Sequence, residues 1–132
     1  MIRYAATIDA RDFDAYAGLF CEEMELLMPG SPPTTSREKL RRGLEKRPVE
    51  LVSRHVITNP LVEVIDGARA RGHCYLTLYR TLAPAGERGV HAFSRPAAVG
   101  EYFDDYLRTN EGWRIRRREL RFVFAVDPMV SD

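Results

Sequence analysis

The chain has no strong charge bias, no cysteine pattern and no long apolar run, and each absence excludes a class of protein. Twenty basic and nineteen acidic side chains nearly cancel, so the charge balance does not favour nucleic acid as a partner. The two cysteines, Cys21 and Cys74, form neither a metal-binding spacing nor a disulfide framework and are interpreted as free thiols. No apolar run approaches the roughly 20 residues of a membrane-spanning helix, and no signal peptide is recognised. We therefore expect a cytoplasmic protein with no membrane partner.

The composition is that of an ordinary globular domain. We assign residues 1–132 to one single domain. Hydrophobic residues make up 45% of the chain and charged residues 30%, without repeats or low-complexity tracts. A chain of this length buries a hydrophobic core without disulfides or metals. Because the first helical pattern already begins at the first residues, a clipped or misassigned start is one interpretation.

The hydrophobic pattern changes along the chain from helical to strand-like. It predicts helices over residues 2–10, 12–20 and 37–47, the second capped by Asp12 and the third opened by a capping box from Thr35 to Glu38. The predicted strands are residues 23–28, 51–58, 61–65, 68–81, 97–109 and 112–124. Helices followed by antiparallel strands are typical of an α+β fold. We expect a cone-shaped α+β barrel, with three helices packed on a strongly curved antiparallel or mixed sheet.

Turn residues and one loop complete this prediction. Residues 66–67 and residues 110–112 are typical of tight hairpins, the second with a three-residue connection. Residues 82–96 are rich in glycine and proline and predict a loop long enough to act as a lid. An arginine group near the end of the chain is interpreted as the outer face of the last strand and its hairpin. Its members are Arg114, Arg116, Arg117, Arg118 and Arg121.

Residues 53–59, with the sequence SRHVITN, alternate like a half-buried strand. One face carries His55 beside Ile57, with Ser53 and Asn59 on either side. Two interpretations stay open: a core histidine satisfied by a neighbour, or a base that serves a pocket.

Asp9 lies on the inward stripe of the first helix, near its C-terminal end. The helix dipole disfavours a negative charge there, and a buried carboxylate must find a partner or lose its charge. Such a partner is either a histidine across the mouth of the cone, or one of two arginines, Arg11 and Arg54.

Three segments together are familiar: RYAATIDARDFDAYAGLF at 3–20, SRHVITNPLVEV at 53–64 and GEYFDDYLRTNEGWRI at 100–115. They resemble the nuclear transport factor two-like superfamily, and within it the SnoaL-like branch. That branch includes polyketide cyclases, scytalone dehydratase, hexachlorocyclohexane dehydrochlorinase and ketosteroid isomerase. The resemblance spans nearly the whole chain and implies the cone fold, but this fold hosts unrelated chemistries and many non-catalytic members.

Asp9 and His55 fall on the aspartate and histidine that scytalone dehydratase and the dehydrochlorinase share. Tyr4 matches the oxyanion-holding tyrosine of ketosteroid isomerase, and Asp104 falls about where that enzyme has a protonated aspartic acid. The alternative for Asp104 is a partnership with a nearby arginine.

Two positions depart from these patterns. Met28 falls near the aspartate that serves as the isomerase's base, and a methionine cannot take a proton. Arg80 falls near the second histidine of scytalone dehydratase. Neither mechanism is therefore fully reproduced.

We predict a cofactor-independent lyase or cyclase/isomerase that acts on a small hydrophobic, carbonyl-bearing or polycyclic molecule. Asp9 and His55 would form the acid–base pair, and Tyr4 would donate a hydrogen bond to the developing oxyanion. Substrate contacts are expected from Tyr102, Asp104, Met28 and Arg80. No cofactor is expected, and no metal, because His73 and His91 have no ligand spacing.

The resemblance also implies a homodimer formed through the outer face of the sheet. Two other functions stay open. One is a non-catalytic ligand-binding or assembly domain, similar to the β subunit of ring-hydroxylating dioxygenases. The other is a hydrolase or hydratase in which the same pair activates water.

Overall fold

A computed structural model of the chain describes residues 2–84, 89–92 and 95–126. These residues form three helices and one six-stranded sheet. The helices are α1 (Ile2–Asp9), α2 (Phe13–Gly18) and α3 (Arg37–Glu45), and the strands are β1 (Phe20–Leu27), β2 (Thr34–Ser36), β3 (Leu51–Val64), β4 (Arg69–Leu82), β5 (Ala98–Thr109) and β6 (Gly112–Ala125).

The sheet is mixed, with the strand order β2-β1-β6-β5-β4-β3. β1 runs parallel to β6, and every other neighbouring pair is antiparallel. The helices pack on one side of this curved sheet, which confirms the predicted α+β cone. None of the described helices is long and apolar enough to cross a membrane.

Side-chain caps start the second and third helices, as the sequence indicated. Asp12 accepts a hydrogen bond of 3.0 Å from the backbone N–H of Ala15. Ser36 accepts one of 3.2 Å from the N–H of Lys39. The cap of α3 is therefore Ser36 and not Thr35, because Ser36 is the last extended residue before the helical turn begins.

The two strands predicted at 51–58 and 61–65 are one continuous strand, so that boundary was wrong. The register between β3 and β4 shifts beside Asn59, which has a positive φ of 53°. The next residue, Pro60, has no N–H to donate. A bulge at this point lets the ladder continue past a residue that cannot pair.

Three smaller features also differ from the prediction. β1 begins at Phe20, since α2 already ends at Gly18. β2 was not predicted, because three residues are too few to show an alternating pattern. The last hairpin has a two-residue connection, because Gly112, at a φ of 97°, pairs directly with Thr109.

The hydrophobic core lies between the helices and the inner face of the sheet. Its members include Tyr4, Ile8, Phe20, Met24, Leu76 and Leu120, each at most 4% exposed. Full burial of one large apolar side chain is worth roughly 1.5–3 kcal/mol. This packing fixes α1 against the sheet and so fixes the position of the residues at its end.

The predicted lid over 82–96 lies partly outside the described residues, which omit 85–88 and 93–94. The described residues at and beside the ends of this segment form backbone hydrogen bonds with residues in or next to the sheet. The N–H of Ala83 donates to the carbonyl of Glu50 at 2.9 Å, and the N–H of Ala97 donates to the carbonyl of Leu78 at 2.8 Å.

Candidate active site

The end of α1 and the first half of β3 bring Asp9 and His55 together. One carboxylate oxygen of Asp9 lies 2.7 Å from His55 Nδ1. The other oxygen accepts a hydrogen bond of 2.7 Å from the backbone N–H of His55. The Asp9 side chain is 12% exposed and the His55 side chain 4%. The distance is that of a charge-assisted hydrogen bond in a site largely closed to water.

The alternative partners for Asp9 are engaged elsewhere. Arg11 donates hydrogen bonds of 2.9 Å to the backbone carbonyls of Arg47 and Pro48. Arg54 donates to a backbone carbonyl of its own strand. In the described part of the chain, neither arginine pairs with the Asp9 carboxylate.

Opposing forces act on the ionisation of Asp9. Burial disfavours the charged carboxylate and by itself would raise its pKa. Hydrogen bonds from the His55 ring, the His55 backbone and the Ser53 hydroxyl outweigh this effect, so the pKa of Asp9 is lowered from its ordinary value of 3.8. The carboxylate is therefore ionised at neutral pH and can accept the Nδ1 proton. This fixes the tautomer in which His55 Nε2 carries the free lone pair.

Ser53 and Arg47 extend this pair into a chain of four side chains. The Ser53 hydroxyl donates to Asp9 at 2.8 Å and accepts from Arg47 Nη2 at 2.9 Å. Arg47 follows the end of α3, so the chain links the third helix to β3. Ser53 lies on the same strand face as His55, and the two flank the carboxylate. The arrangement holds Asp9 in one orientation against the imidazole.

His55 borders a cavity of about 370 Å³ between α1, α3 and β1. Most of its wall is apolar. The apolar lining includes Ile8, Tyr16, Leu26, Met28, Leu40 and Leu44. Because Nδ1 is held by Asp9, Nε2 is the ring nitrogen left for a ligand in this space, and the described residues offer it no other hydrogen-bond partner.

Tyr4 lines the same cavity. Its ring stands edge-on to His55, with centroids 6.3 Å apart. Its hydroxyl accepts a hydrogen bond of 3.3 Å from the Tyr102 hydroxyl. The guanidinium of Arg118 lies over the Tyr4 ring at 4.0 Å from its centroid. This cation–π contact holds the Tyr4 ring in place beside His55.

Asp104 is sealed in the core by Arg118. Arg118 donates to both carboxylate oxygens, at 2.7 and 2.5 Å, and the two side chains are 1% and 0% exposed. The Tyr106 hydroxyl donates to the same carboxylate at 2.5 Å. Burial and the Asp104 charge together raise the pKa of Tyr106 well above its ordinary range. Both Asp104 oxygens are thus engaged, the side chain is fully buried, and it does not line the cavity. The predicted substrate contact is replaced by the alternative, an arginine partner.

Arg118 is also a correction to the interpretation of the arginine group. The register between β5 and β6 shifts beside Asp105. This shift lets Ile115 and Arg118, three positions apart, point to the same buried side. The other four arginines of the group are partly or fully exposed, as expected for the outer face and the hairpin: Arg114, Arg116, Arg117 and Arg121.

The model of the SnoaL-like domain matches residues 1–119. The chain belongs to the SnoaL-like family. No match was found among the curated proteins.

Solved structures agree with this assignment. Rv3472 of Mycobacterium tuberculosis, a protein of unknown function, is 31% identical with a TM-score of 0.77, over 98% of this chain and 76% of that one. A candidate scytalone dehydratase from Novosphingobium aromaticivorans is 21% identical with a TM-score of 0.73, over 100% and 89%. ActVI-ORFA from Streptomyces coelicolor is 18% identical with a TM-score of 0.72, over 91% and 89%. The last two similarities show the fold alone.

The remaining predicted site residues of this SnoaL-like protein differ in whether they line the cavity. Met28 lines the cavity. Tyr102 is 1% exposed and does not line the cavity, but its hydroxyl donates to that of Tyr4, which does. Arg80 borders a separate shallow depression with Ser53 and His91. Within the described ranges, no three histidine, cysteine or acidic side chains come close enough to hold a metal ion.

Sequence reasoning did not assign roles to Ser53, Arg47 and Arg118. The strand alternation did place Ser53 on the face of His55, which is a usable signal. No sequence signal indicated the role of Arg47, because that role depends on where the end of α3 lies in the fold. Arg118 was hidden by the shift in strand register.

Proposed function

We propose that this SnoaL-like protein is a cofactor-independent lyase or cyclase/isomerase, acting on a small apolar molecule that carries a carbonyl group. One observation carries the proposal: an ionised aspartate is bonded to a histidine at the wall of a largely apolar cavity. Such a pair provides a general base without a metal or an organic cofactor.

The first step is removal of a proton from the carbon next to the carbonyl. His55 Nε2 takes the proton, and the C–H electron pair moves into the carbonyl to form an enolate. Ionised Asp9 stabilises the resulting imidazolium, as an orienting acid does in other dyads. Tyr4 donates its hydroxyl proton as a hydrogen bond to the enolate oxygen.

The second step determines the reaction class. In an elimination, the enolate pair expels a β-hydroxyl group, which leaves as water with the proton from His55. In a cyclisation, the enolate carbon attacks a second carbonyl of the same molecule, and His55 protonates the new alkoxide. In an isomerisation, His55 returns the proton to a different carbon. The candidate scytalone dehydratase among the similar structures is in keeping with the elimination.

Deuterium exchange tests the first step without requiring the natural substrate. In D₂O, aromatic ketones and β-hydroxy ketones are followed by NMR for loss of the proton next to the carbonyl. A positioned general base contributes about 10²- to 10⁴-fold in rate, so His55→Ala and Asp9→Asn are each expected to lose most of that exchange. His73→Gln is the matched control, because His73 lies on the opposite face of the sheet and pairs with Glu101. Full exchange in both variants contradicts the proposal.

Oxygen labelling separates elimination from activation of water. In H₂¹⁸O, a product of elimination, cyclisation or isomerisation gains no oxygen from solvent in the bond-forming step. Incorporation that depends on His55 would show that the pair activates water, and the enzyme would then be a hydratase or hydrolase. Ligand binding without any His55-dependent turnover would leave a binding domain.

We also propose that two copies pair through the outer face of the sheet, in a cytoplasmic compartment. One row of that face crosses four strands through Val56, Thr77, Val99 and Phe124. Val56 is 43% exposed and Phe124 69%, and covering such a row removes apolar surface from water. Sedimentation should give a dimer for the natural chain and a monomer for Val56→Glu. A monomer for both would contradict the pairing.

A further inference from the structure

The charged side chains on the two faces of helix α3 differ in whether they form ion pairs. On the outer face, arginines and glutamates pair one helical turn apart. Arg42 lies 2.5 Å from Glu38, and Arg41 lies 2.6 Å from Glu45. These four charges compensate one another, so this face needs no partner.

The cavity face of α3 carries positive charges without that compensation. Lys39, Gly43 and Lys46 follow one another at i, i+4 and i+7, and all three line the cavity. In the described part of the chain, neither lysine forms an ion pair. The nearest polar partner of Lys39 is the neutral hydroxyl of Thr35, at 3.4 Å.

Arg47 adds a third cation beside these lysines. It lines the cavity, and its Nη2 is held by Ser53. Its Nε is buried and has no hydrogen-bond partner among the described residues. An unpaired buried donor costs free energy, and an acceptor that enters the cavity would relieve that cost.

The described lining of the cavity contains no aspartate or glutamate to balance this rim. An apolar interior therefore opens beneath three positive charges. A neutral hydrocarbon would fill the interior and leave the rim uncompensated. A ligand with one anionic group at its end would satisfy both regions.

Gly43 keeps the space between the two lysines open. It is a helical glycine, and a helix-interior glycine costs roughly 0.5–1 kcal/mol of stability relative to alanine. A β-carbon at this position would meet nothing within 4 Å, so no packing constraint requires the glycine. Without a side chain, the position leaves a passage between Lys39 and Lys46.

We propose that the cavity takes an amphipathic ligand, with an apolar carbonyl-bearing body inside and one anionic group, such as a carboxylate, held at the rim by Lys39, Lys46 and Arg47. This inference rests on the proposed function, because it names the substrate class of the same cavity. His55 acts on the body of the ligand, while Lys39, Lys46 and Arg47 hold its charge.

Two fluorescent probes with the same rings test the charge directly. 1-Anilinonaphthalene-8-sulfonate is anionic, and N-phenyl-1-naphthylamine is the same molecule without the sulfonate. The natural chain should bind the anionic probe more tightly, and added salt should reduce this preference. Because an exposed lysine contributes up to about fivefold, Lys39→Gln with Lys46→Gln should weaken the anionic probe by about three- to tenfold and the neutral probe by less than about twofold.

The matched control removes the same charge from the other face of the helix. Arg41→Gln with Arg42→Gln should change the affinity of neither probe by more than about twofold. Gly43→Leu should weaken both probes, since its side chain fills the passage. The inference is overturned if the natural chain binds neither probe, if it shows no preference for the anion, or if the control weakens the anion as much as the lysine variant.

The result is separable from that of the proposed function. His55→Ala should keep the preference for the anionic probe while it loses proton exchange. If the chain prefers the anionic probe but His55→Ala still exchanges protons at the full rate, only the proposed role of His55 as a base is contradicted. If proton exchange depends on His55 but the chain shows no preference for the anionic probe, only the proposal of an anionic ligand is contradicted.

Discussion

Asp9 and Asp104 are both acids held by a nitrogen-bearing side chain, yet they do different things. Asp9 meets a histidine, a side chain that can accept and return a proton, and the pair borders a cavity. Asp104 meets an arginine, which cannot lose its proton, and no part of the pair reaches solvent. The identity of the partner side chain and its access to an open space separate a reactive pair from a structural one.

The two pairs are nevertheless connected. Arg118 lies between the rings of Tyr4 and Tyr102, with its guanidinium carbon 4.0 and 4.3 Å from their centroids. The structural pair thereby fixes Tyr4, which is the proposed donor beside His55. Arg118 is a positioning residue for Tyr4, acting through the ring that it contacts.

The largest effect on stability is expected at the structural pair. Arg118→Met leaves the Asp104 carboxylate buried without its cation, which should lower the free energy of unfolding by about 3–5 kcal/mol. Urea denaturation measures this change. The double variant Arg118→Met with Asp104→Leu should lose less than the single variant, because no buried charge is left unpaired. A loss below about 1 kcal/mol in the single variant would show that the pair is not sealed as described.

A smaller and pH-dependent effect is expected at the reactive pair. The pKa of Asp9 is lower in the folded chain than its ordinary value of 3.8. Its contribution to stability is therefore complete above that value and is lost as the pH falls through the folded pKa. At neutral pH, Asp9→Asn should lower the free energy of unfolding by about 1–3 kcal/mol. Denaturation at a series of acidic pH values should show the two chains converging, and a constant difference would contradict the assignment.

A positioning effect is expected at Ser53. Ser53→Ala removes the hydrogen bond to Asp9 and the one from Arg47, which should lower the free energy of unfolding by about 1–3 kcal/mol. The rate of deuterium exchange next to the carbonyl should fall, while the affinity for the neutral probe N-phenyl-1-naphthylamine should not change. Ser53→Thr retains the hydroxyl and should restore part of the rate. Thr58→Ala, an exposed position on the same strand, is the control.

The smallest effect is expected at a carboxylate on the surface. Glu119 accepts hydrogen bonds from Arg117 and Arg121, which lower its pKa to about 2. Water screens these pairs, so Glu119→Gln should change the free energy of unfolding by at most about 1 kcal/mol, and less in high salt. A loss as large as that of Arg118→Met would remove the distinction between buried and exposed pairs.

Local sequence patterns and the resemblance to known families together predicted the fold and the meeting of Asp9 with His55. Helical periodicity placed Asp9 on the inward face of α1, and strand alternation placed His55 on the inward face of β3. Each pattern is local, so it survives small errors in the element boundaries. The resemblance to known families then supplied the long-range pairing that no local pattern contains.

Arg118 and Arg47 could not be assigned in this way. Arg118 points inward only because the register shifts beside Asp105, and a shift of one residue reverses the face of every side chain beyond it. Arg47 contacts Ser53 because α3 ends beside β3, which is a matter of packing and not of pattern. The helical spacing of Lys39 and Lys46 was visible in the sequence, but the cavity that they border was not.

Arg11 gives the mouth of the cavity a mechanical link to the chemistry. It sits at the end of α1 with a positive φ of 59° and holds the carbonyls of Arg47 and Pro48, while the Arg47 side chain holds Ser53. The end of α3 is therefore tied to Arg11 on one side and, through the Arg47 and Ser53 side chains, to Asp9 on the other. One hydrogen-bond network thus serves both as part of the cavity wall and as the support of the proposed base.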